Sequence, residues 1–247
     1  MTEYAHDKVV PDKASSKTKK EQVAGMFDDI ANRYDFLNRF LSVGIDVSWR
    51  KKALQHFKDN PPKLLLDVAT GTADVAIMAT KMHQISKTIG IDISDGMLKI
   101  GREKVEKNGM TQQIELINGD SESIQFEDNH FDAATVSFGV RNFQNLEKGL
   151  LEIKRVLKPG GKLVVLEFSK PTTPFVGFFY NFYMKIVAPN MGKLFSKNGA
   201  AYKYLDESIK KFPEGKHFIQ VMNELGYTKT EFKKLSFGIC CIYVGTK

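Results

Sequence analysis

The run Leu64-Leu65-Leu66-Asp67-Val68-Ala69-Thr70-Gly71-Thr72-Ala73-Asp74 leaves a chain few choices of architecture. An apolar stretch of strand length ends at an acidic residue and turns through small residues around one glycine. It then enters Asp74-Val-Ala-Ile-Met-Ala-Thr80, which reads as a helix. A buried parallel strand followed by such a turn delivers backbone N–H groups to the carboxyl edge of a sheet, where open α/β folds bind ligands.

Downstream of this turn, strand and helix patterns alternate. Strands are expected at Thr88–Asp92, Ile114–Asn118, Phe131–Ser137 and Lys162–Glu167, and helices from Ser94 to about Lys107 and from Asn145 to Leu157. The last of these helices is stopped by Lys158-Pro159-Gly160-Gly161, a Pro/Gly stop. The alternation predicts a doubly wound, mostly parallel α/β sheet. A helix from about Glu21 to Leu41 and a second starting near Ser48 form an N-terminal helical cap, ended by Pro61-Pro62. Residues 1–20 are polar, without periodicity, and read as a loose leader to a single domain spanning 21–247. The cap then occupies 21–60, and an aromatic-rich insert at 171–216 precedes a helix near 217–225 and a closing strand pair at 227–235 and 239–246.

At 247 residues and 42% hydrophobic side chains, the chain can bury one full core, which argues against wholesale disorder. The net charge of +7 lies in the final third, from Lys170 onward. Such a surface suits an anionic membrane or a nucleic acid, or is a solvated lysine face. The two cysteines, Cys240 and Cys241, are neighbours in a strand and point to opposite faces, which disfavours a disulfide between them. With no signal peptide and no apolar run of membrane-spanning length, the expectation is a cytoplasmic protein.

Three carboxylates stand at strand ends: Asp67 on the first, Asp92 on the second, and Asp120 just past the third. A carboxylate after the second strand can accept from both hydroxyls of a ribose, and Asp120 could accept from an adenine amino group. Strand-end Asp residues also cap helices and turns; three in register favour a nucleoside site. A dinucleotide fits poorly. The turn has one glycine where G-x-G-x-x-G is needed, and Asp67 and Asp74 repel a pyrophosphate. S-adenosylmethionine, with a sulfonium cation and no phosphate, fits better than NAD. No metal site is expected.

Two further stretches carry a resemblance. Arg155-Val-Leu-Lys-Pro-Gly-Gly-Lys-Leu-Val-Val-Leu-Glu-Phe-Ser-Lys-Pro171 and Tyr34-Asp-Phe-Leu-Asn38, followed by Ser42-Val-Gly44, are similar to the two signatures of the ubiquinone/menaquinone biosynthesis C-methyltransferase family. The layout resembles a class I S-adenosylmethionine-dependent methyltransferase with a seven-stranded, Rossmann-like sheet. The chain departs from the N-terminal signature where the family has His-Arg-x-Trp and this sequence has Asp46-Val47-Ser48-Trp49. The resemblance spans about residues 20 to 245. It implies methylation at a ring carbon of demethylmenaquinol or of a related methoxy-benzoquinol, and donor contacts at Thr72, Asp92, Asp120, Ser121 and Ser137. Asp67 and Gly71 belong to the same turn and complete the expected donor site.

Ring-carbon methylation needs a phenolate and a dry, aligned pocket. Arg141 and Asn142 follow the fourth strand and are the expected catalytic pair, Arg141 for the phenolate and Asn142 for the ring; the competing reading is a surface ion pair and a helix cap. Tyr34 and Asn38 share a helix face, as a lid over donor and quinol or as packing. The aromatics of 175–195 are a candidate for the polyprenyl tail and the bilayer, with core packing or a homodimer interface as the alternatives. Nucleic acid is disfavoured as a partner. After the fourth strand stands Ser-Phe-Gly-Val-Arg in place of Asn/Asp-Pro-Pro-aromatic, and no cysteine is near that edge.

Overall fold

The computed structural model describes residues 4–42, 44–171 and 199–247. Seven strands form one sheet in the order β3-β2-β1-β4-β5-β7-β6. They are β1 Leu64–Val68, β2 Lys87–Asp92, β3 Ile114–Asn118, β4 Phe131–Ser137, β5 Leu157–Phe168, β6 Thr228–Leu235 and β7 Cys240–Thr246. β7 runs antiparallel to both β5 and β6, and the other neighbours are parallel. The helices are α1 Lys19–Leu41, α2 Ile45–Leu54, α3 Asp74–His83, α4 Asp95–Lys107, α5 Leu146–Val156, α6 Gly199–Lys211 and α7 Lys216–Glu224.

Consecutive residues of the central strands feed opposite cores, as a period of two requires. Leu66, Val165 and Tyr243 pack with Leu150, Ile153 and Phe218 of α5 and α7. Leu65, Val164 and Ile242 pack with Trp49, Leu54, Val75 and Ala79 of α2 and α3. The order of the last two strands follows from side chains. β7 is buried from Cys240 through Gly245, so it must lie inside the sheet, whereas β6 exposes most of Thr-Lys-Thr-Glu-Phe-Lys-Lys and takes the edge. Lysines on an edge strand also oppose unwanted pairing.

α2 begins three residues earlier than the expected Ser48. The Gly44 N–H closes α1 on the Arg39 carbonyl (2.8 Å), and the chain enters α2 at once. α5 passes directly into β5, so Leu157–Gly161 belongs to the strand, with a register shift between Phe131 and Ala133 absorbing the Pro-Gly-Gly turn. α6 falls inside the region 171–216 expected to be an aromatic-rich insert. The segment 4–18 does not stand off from the domain: His6 is fully buried, Val9 packs against Val23 and Tyr204, and the Tyr4 hydroxyl donates to Glu147 (3.2 Å). Polar composition concealed this, because the anchors are single side chains without a period. The aromatic positions 175–195 lie outside the described residues.

One glycine is required by close approach. A Cβ on Gly90 of β2 would meet the Leu116 Cδ2 at 2.6 Å and the Thr70 Oγ1 at 2.8 Å. Gly90→Ala is therefore expected to cost about 1–3 kcal/mol, read as a lower denaturation midpoint at unchanged m-value. A midpoint equal to that of the wild type would mean that the turn yields freely.

Candidate functional site

The carboxyl ends of β1 to β4 and the helix α1 enclose a cleft of about 630 Å³, its open mouth included. Ala69 and Gly71 after β1, Asp92 after β2, Asp120 and Ser121 after β3, and Ser137 and Asn142 after β4 line it, with Lys20, Phe27 and Tyr34 of α1. The turn after β1 is tightly wound. Ala69, Gly71 and Ala73 have φ of 53°, 55° and 62°, a left-handed conformation that non-glycine residues adopt at a cost and that gathers at ligand sites.

Asp92 is the hinge of the cleft. One carboxylate oxygen accepts the Gly71 N–H (2.8 Å) and the other the Ser94 N–H (2.9 Å). Each oxygen keeps a further lone pair. The Gly71 N–H is thereby occupied by a carboxylate, which answers the question of phosphate: this turn does not offer that amide to an anion. Asp120 accepts the Glu122 N–H (2.9 Å) and pairs with Lys20 of α1. Of the expected donor residues, the cleft gathers Gly71, Asp92, Asp120, Ser121 and Ser137.

Two others face elsewhere. Asp67 is 1% exposed, and its oxygens accept from the hydroxyls of Thr70 and Thr135, both at 2.6 Å. It fastens the turn to β4. The Thr72 hydroxyl donates to Asp35 (2.6 Å) and accepts from Lys104 (3.1 Å), outside the cleft lining. Around it Lys104 pairs with Asp35 and Asp74, and Arg50 pairs with Asp46 (2.7 Å) and Asp74 (3.1 Å). Asp46, standing where the family signature has histidine, is the shared acceptor of Arg39 and Arg50.

α1 lies across the whole edge and touches each strand-end loop in turn. Lys20 reaches Asp120 after β3, Asp28 accepts from Ser94 Oγ (2.6 Å) and Gly96 N–H (2.8 Å) after β2, and Asp35 accepts from Thr72 after β1. Sequence reasoning missed Lys20, Asp28 and Lys104. On α1 the residues Lys20, Asp28 and Asp35 are polar at a stride of seven or eight, which by itself reads as a solvated stripe.

The turn after β4 separates the expected catalytic pair. Asn142 and Tyr34 line the cleft. Asn142 accepts from the Tyr204 hydroxyl of α6 (3.1 Å), and Tyr34 packs edge-on to Phe27. Arg141 is 4% exposed and lies off the cleft wall, its guanidinium donating to Glu167 (2.5 Å) and to the Phe138 carbonyl (2.6 Å) beneath the Phe168 ring. Glu167 is fully buried, and burial pushes its pKa up despite the arginine. The acidic residue inside the apolar run Val-Val-Leu-Glu-Phe was the available signal for this pair. Burial also raises the Tyr34 hydroxyl, while Asn38 and the positive charges of Arg141 and Arg50 draw it back down.

Burial raises the Asp67 and Asp92 carboxyls to about 6 each. Both hold a proton more tightly folded than unfolded. They contribute stability below their ordinary range near 4, and it is lost as pH rises through 6. Acidification from pH 7 to 5 is thus expected to favour the unliganded fold through these two groups, while a protonated Asp92 loses acceptor capacity for a ribose. Titration calorimetry with S-adenosylhomocysteine should show affinity falling toward pH 5; affinity level across that window would remove Asp92 from the ribose contact.

The strand order with its antiparallel β7, and a strand-edge cleft ringed by carboxylates without a phosphate cradle, define a class I S-adenosylmethionine-dependent methyltransferase. A solved S-adenosylmethionine-dependent methyltransferase from Thermotoga maritima shares the fold, with a TM-score of 0.59 and 20% identity over 90% of this chain and 99% of that one. The chain belongs to the ubiE/COQ5 methyltransferase family, which it matches over residues 15–247. It is 48% identical to the demethylmenaquinone methyltransferase of Bacteroides fragilis, over 99% of each chain. It is 43% identical to the ubiquinone/menaquinone biosynthesis C-methyltransferase of Geobacter sulfurreducens, over 93% of this chain and 90% of that one. Among the described residues no helix is long and apolar enough to cross a membrane.

Proposed function

We propose that this enzyme methylates a ring carbon of a polyprenyl quinol, demethylmenaquinol, in the formation of menaquinol. The observation that carries this reading is the 48% identity, end to end, to a relative of that name. S-adenosylmethionine, when bound, supplies an electrophilic methyl group on a sulfonium.

The chain's own residues do the rest. Asp92 accepts from the ribose hydroxyls through its remaining lone pairs, and Asp120 accepts from the adenine amino group once Lys20 yields it. Ser121 and Ser137 flank these contacts, and Gly71 holds the turn against Asp92. Asp67 and Thr72 act from outside the cleft, the first fixing the turn to β4 and the second fastening Asp35 of α1. α1 is then the lid that dries the site. Asn142 and Tyr34 orient the quinol ring, and Arg141, next to Asn142 in the chain, is the group that favours its phenolate. Loss of the phenol proton makes the ring carbon nucleophilic; as that carbon bonds the methyl, the methyl–sulfur bond would break with its electron pair going to sulfur, and the ring proton would then pass to water as aromaticity returns. The lipophilic substrate and the basic final third support peripheral contact with an anionic membrane surface on the cytoplasmic side.

The test is incubation of the purified chain with S-adenosylmethionine and reduced demethylmenaquinone, read as a mass gain of one methylene on the quinone. Methylation of a 2-methoxy-benzoquinol alone would overturn the acceptor, and no methylation of either would overturn the reading. Binding that does not change between neutral and anionic vesicles would dismiss the membrane contact.

A further inference from the structure

Lys19, the first residue of α1, is only 4% exposed. Its ammonium donates to two main-chain carbonyls, of His6 (2.8 Å) and of Arg141 (3.3 Å). Burying an ammonium is costly unless it is well partnered, and an apolar side chain would fill the same space at less expense. The cost calls for a purpose beyond packing.

The surroundings indicate one. The turn from Phe138 to Asn142 is held at three places. Glu167 takes the Arg141 guanidinium and faces its N–H (3.4 Å), Tyr204 donates to Asn142, and Lys19 holds the Arg141 carbonyl. The other acceptor of Lys19 belongs to the N-terminal segment, anchored by the buried His6 ring edge-on to Phe212 (5.5 Å) and by Val9 against Val23 and Tyr204. A single ammonium thus joins the N-terminal segment, the lid helix and the catalytic turn.

We propose that Lys19 is a positioning residue for methyl transfer: its ammonium ties residues 4–9 to the Arg141 carbonyl and so sets the Arg141-Asn142 turn in its working arrangement. This rests on the reading of Arg141 and Asn142 as the groups that serve the quinol. Asp7 on the N-terminal segment, Glu122 after β3 and Arg141 after β4, with Glu167 behind it, are the charges that face Lys19; on its own helix Lys20 is paired with Asp120. His6 brings no charge, because burial drives its pKa to about 3. Burial lowers Lys19 to about 8, with Asp7 and Glu122 opposing and Arg141 adding to the shift. Loss of that proton removes the charge assistance that strengthens both carbonyl bonds.

The test compares the full-length wild type with Lys19→Met, Lys19→Arg and Arg141→Ala. Lys19→Met is expected to lower kcat about tenfold, the worth of one charge-assisted hydrogen bond, while S-adenosylhomocysteine binds as before. The wild-type advantage over Lys19→Met should shrink as pH rises through 8, where the native ammonium is lost. Lys19→Arg stays charged and should recover most of kcat and keep it on the alkaline side. Unchanged kcat in Lys19→Met overturns the proposal. So does a loss that is matched in S-adenosylhomocysteine affinity and constant with pH, which is plain structural damage. Should Arg141→Ala retain full turnover, the reading beneath falls and Lys19 with it. Should Arg141→Ala lose turnover while Lys19→Met does not, only the Lys19 proposal falls.

Discussion

Replacing Arg141 with methionine is expected to lower the unfolding free energy by about 3–5 kcal/mol, the cost of stranding a buried charge. The charge left behind is Glu167, at 0% exposure. Its carboxyl is already raised by burial, so part of the loss is recovered as it takes up a proton, and the deficit should diminish in acid. Adding Glu167→Gln removes the stranded charge, and the double variant should regain most of the stability. A double-mutant cycle on denaturation midpoints measures this. A double variant as unstable as Arg141→Met alone would place the loss in packing against Phe168, 5.4 Å from the guanidinium carbon. Activity separates the two roles: every variant lacking the arginine should lose turnover, whereas Glu167→Gln alone keeps the positive charge and an acceptor for it.

The second large effect is on donor affinity. Asp92→Ala deletes the acceptor for the Gly71 and Ser94 N–H groups and, on the proposed reading, for the ribose hydroxyls. Two charge-assisted bonds to the ligand are worth roughly a hundredfold in affinity. Asp92→Asn should fall between, since its amide oxygen still accepts. Stability should move the other way at neutral pH. The ionised Asp92 is disfavoured by burial, so the neutral asparagine relieves a cost that the unliganded fold bears for binding. Calorimetry with S-adenosylhomocysteine and thermal melts of the unliganded protein read the two quantities. An affinity within about threefold of wild type for Asp92→Ala would end the ribose assignment.

The order of strands and helices, and the edge at which Asp92, Asp120 and Ser137 stand, were legible from periodicity. The rule is local: a parallel strand ends at the carboxyl edge whatever lies beside it. The closing pair of strands was legible too, because few residues separate them and β7 is apolar throughout. Its place between β5 and β6 depends on burial, which a single stretch of sequence does not state.

Partners were not legible. Thr72 and Asp67 lie in the turn that every local argument points to, yet Asp35, 37 residues away, claims the first, and Thr135, 68 residues away, the second. Arg141 read as a cation for the phenolate or as half of a surface ion pair until β5, the strand beside β4, placed the buried Glu167 under it. Lys19 looked like one more lysine of a polar leader. Spacing along the chain decides which edge or face a side chain occupies. Which neighbour satisfies its hydrogen bonds is decided by strand order and by the helix laid across the edge, and both arise only when distant segments bury their apolar faces together. The sequence by itself determined the architecture and the chemistry of the donor; the tertiary structure decided which of its polar residues line the cleft and which hold those residues in place.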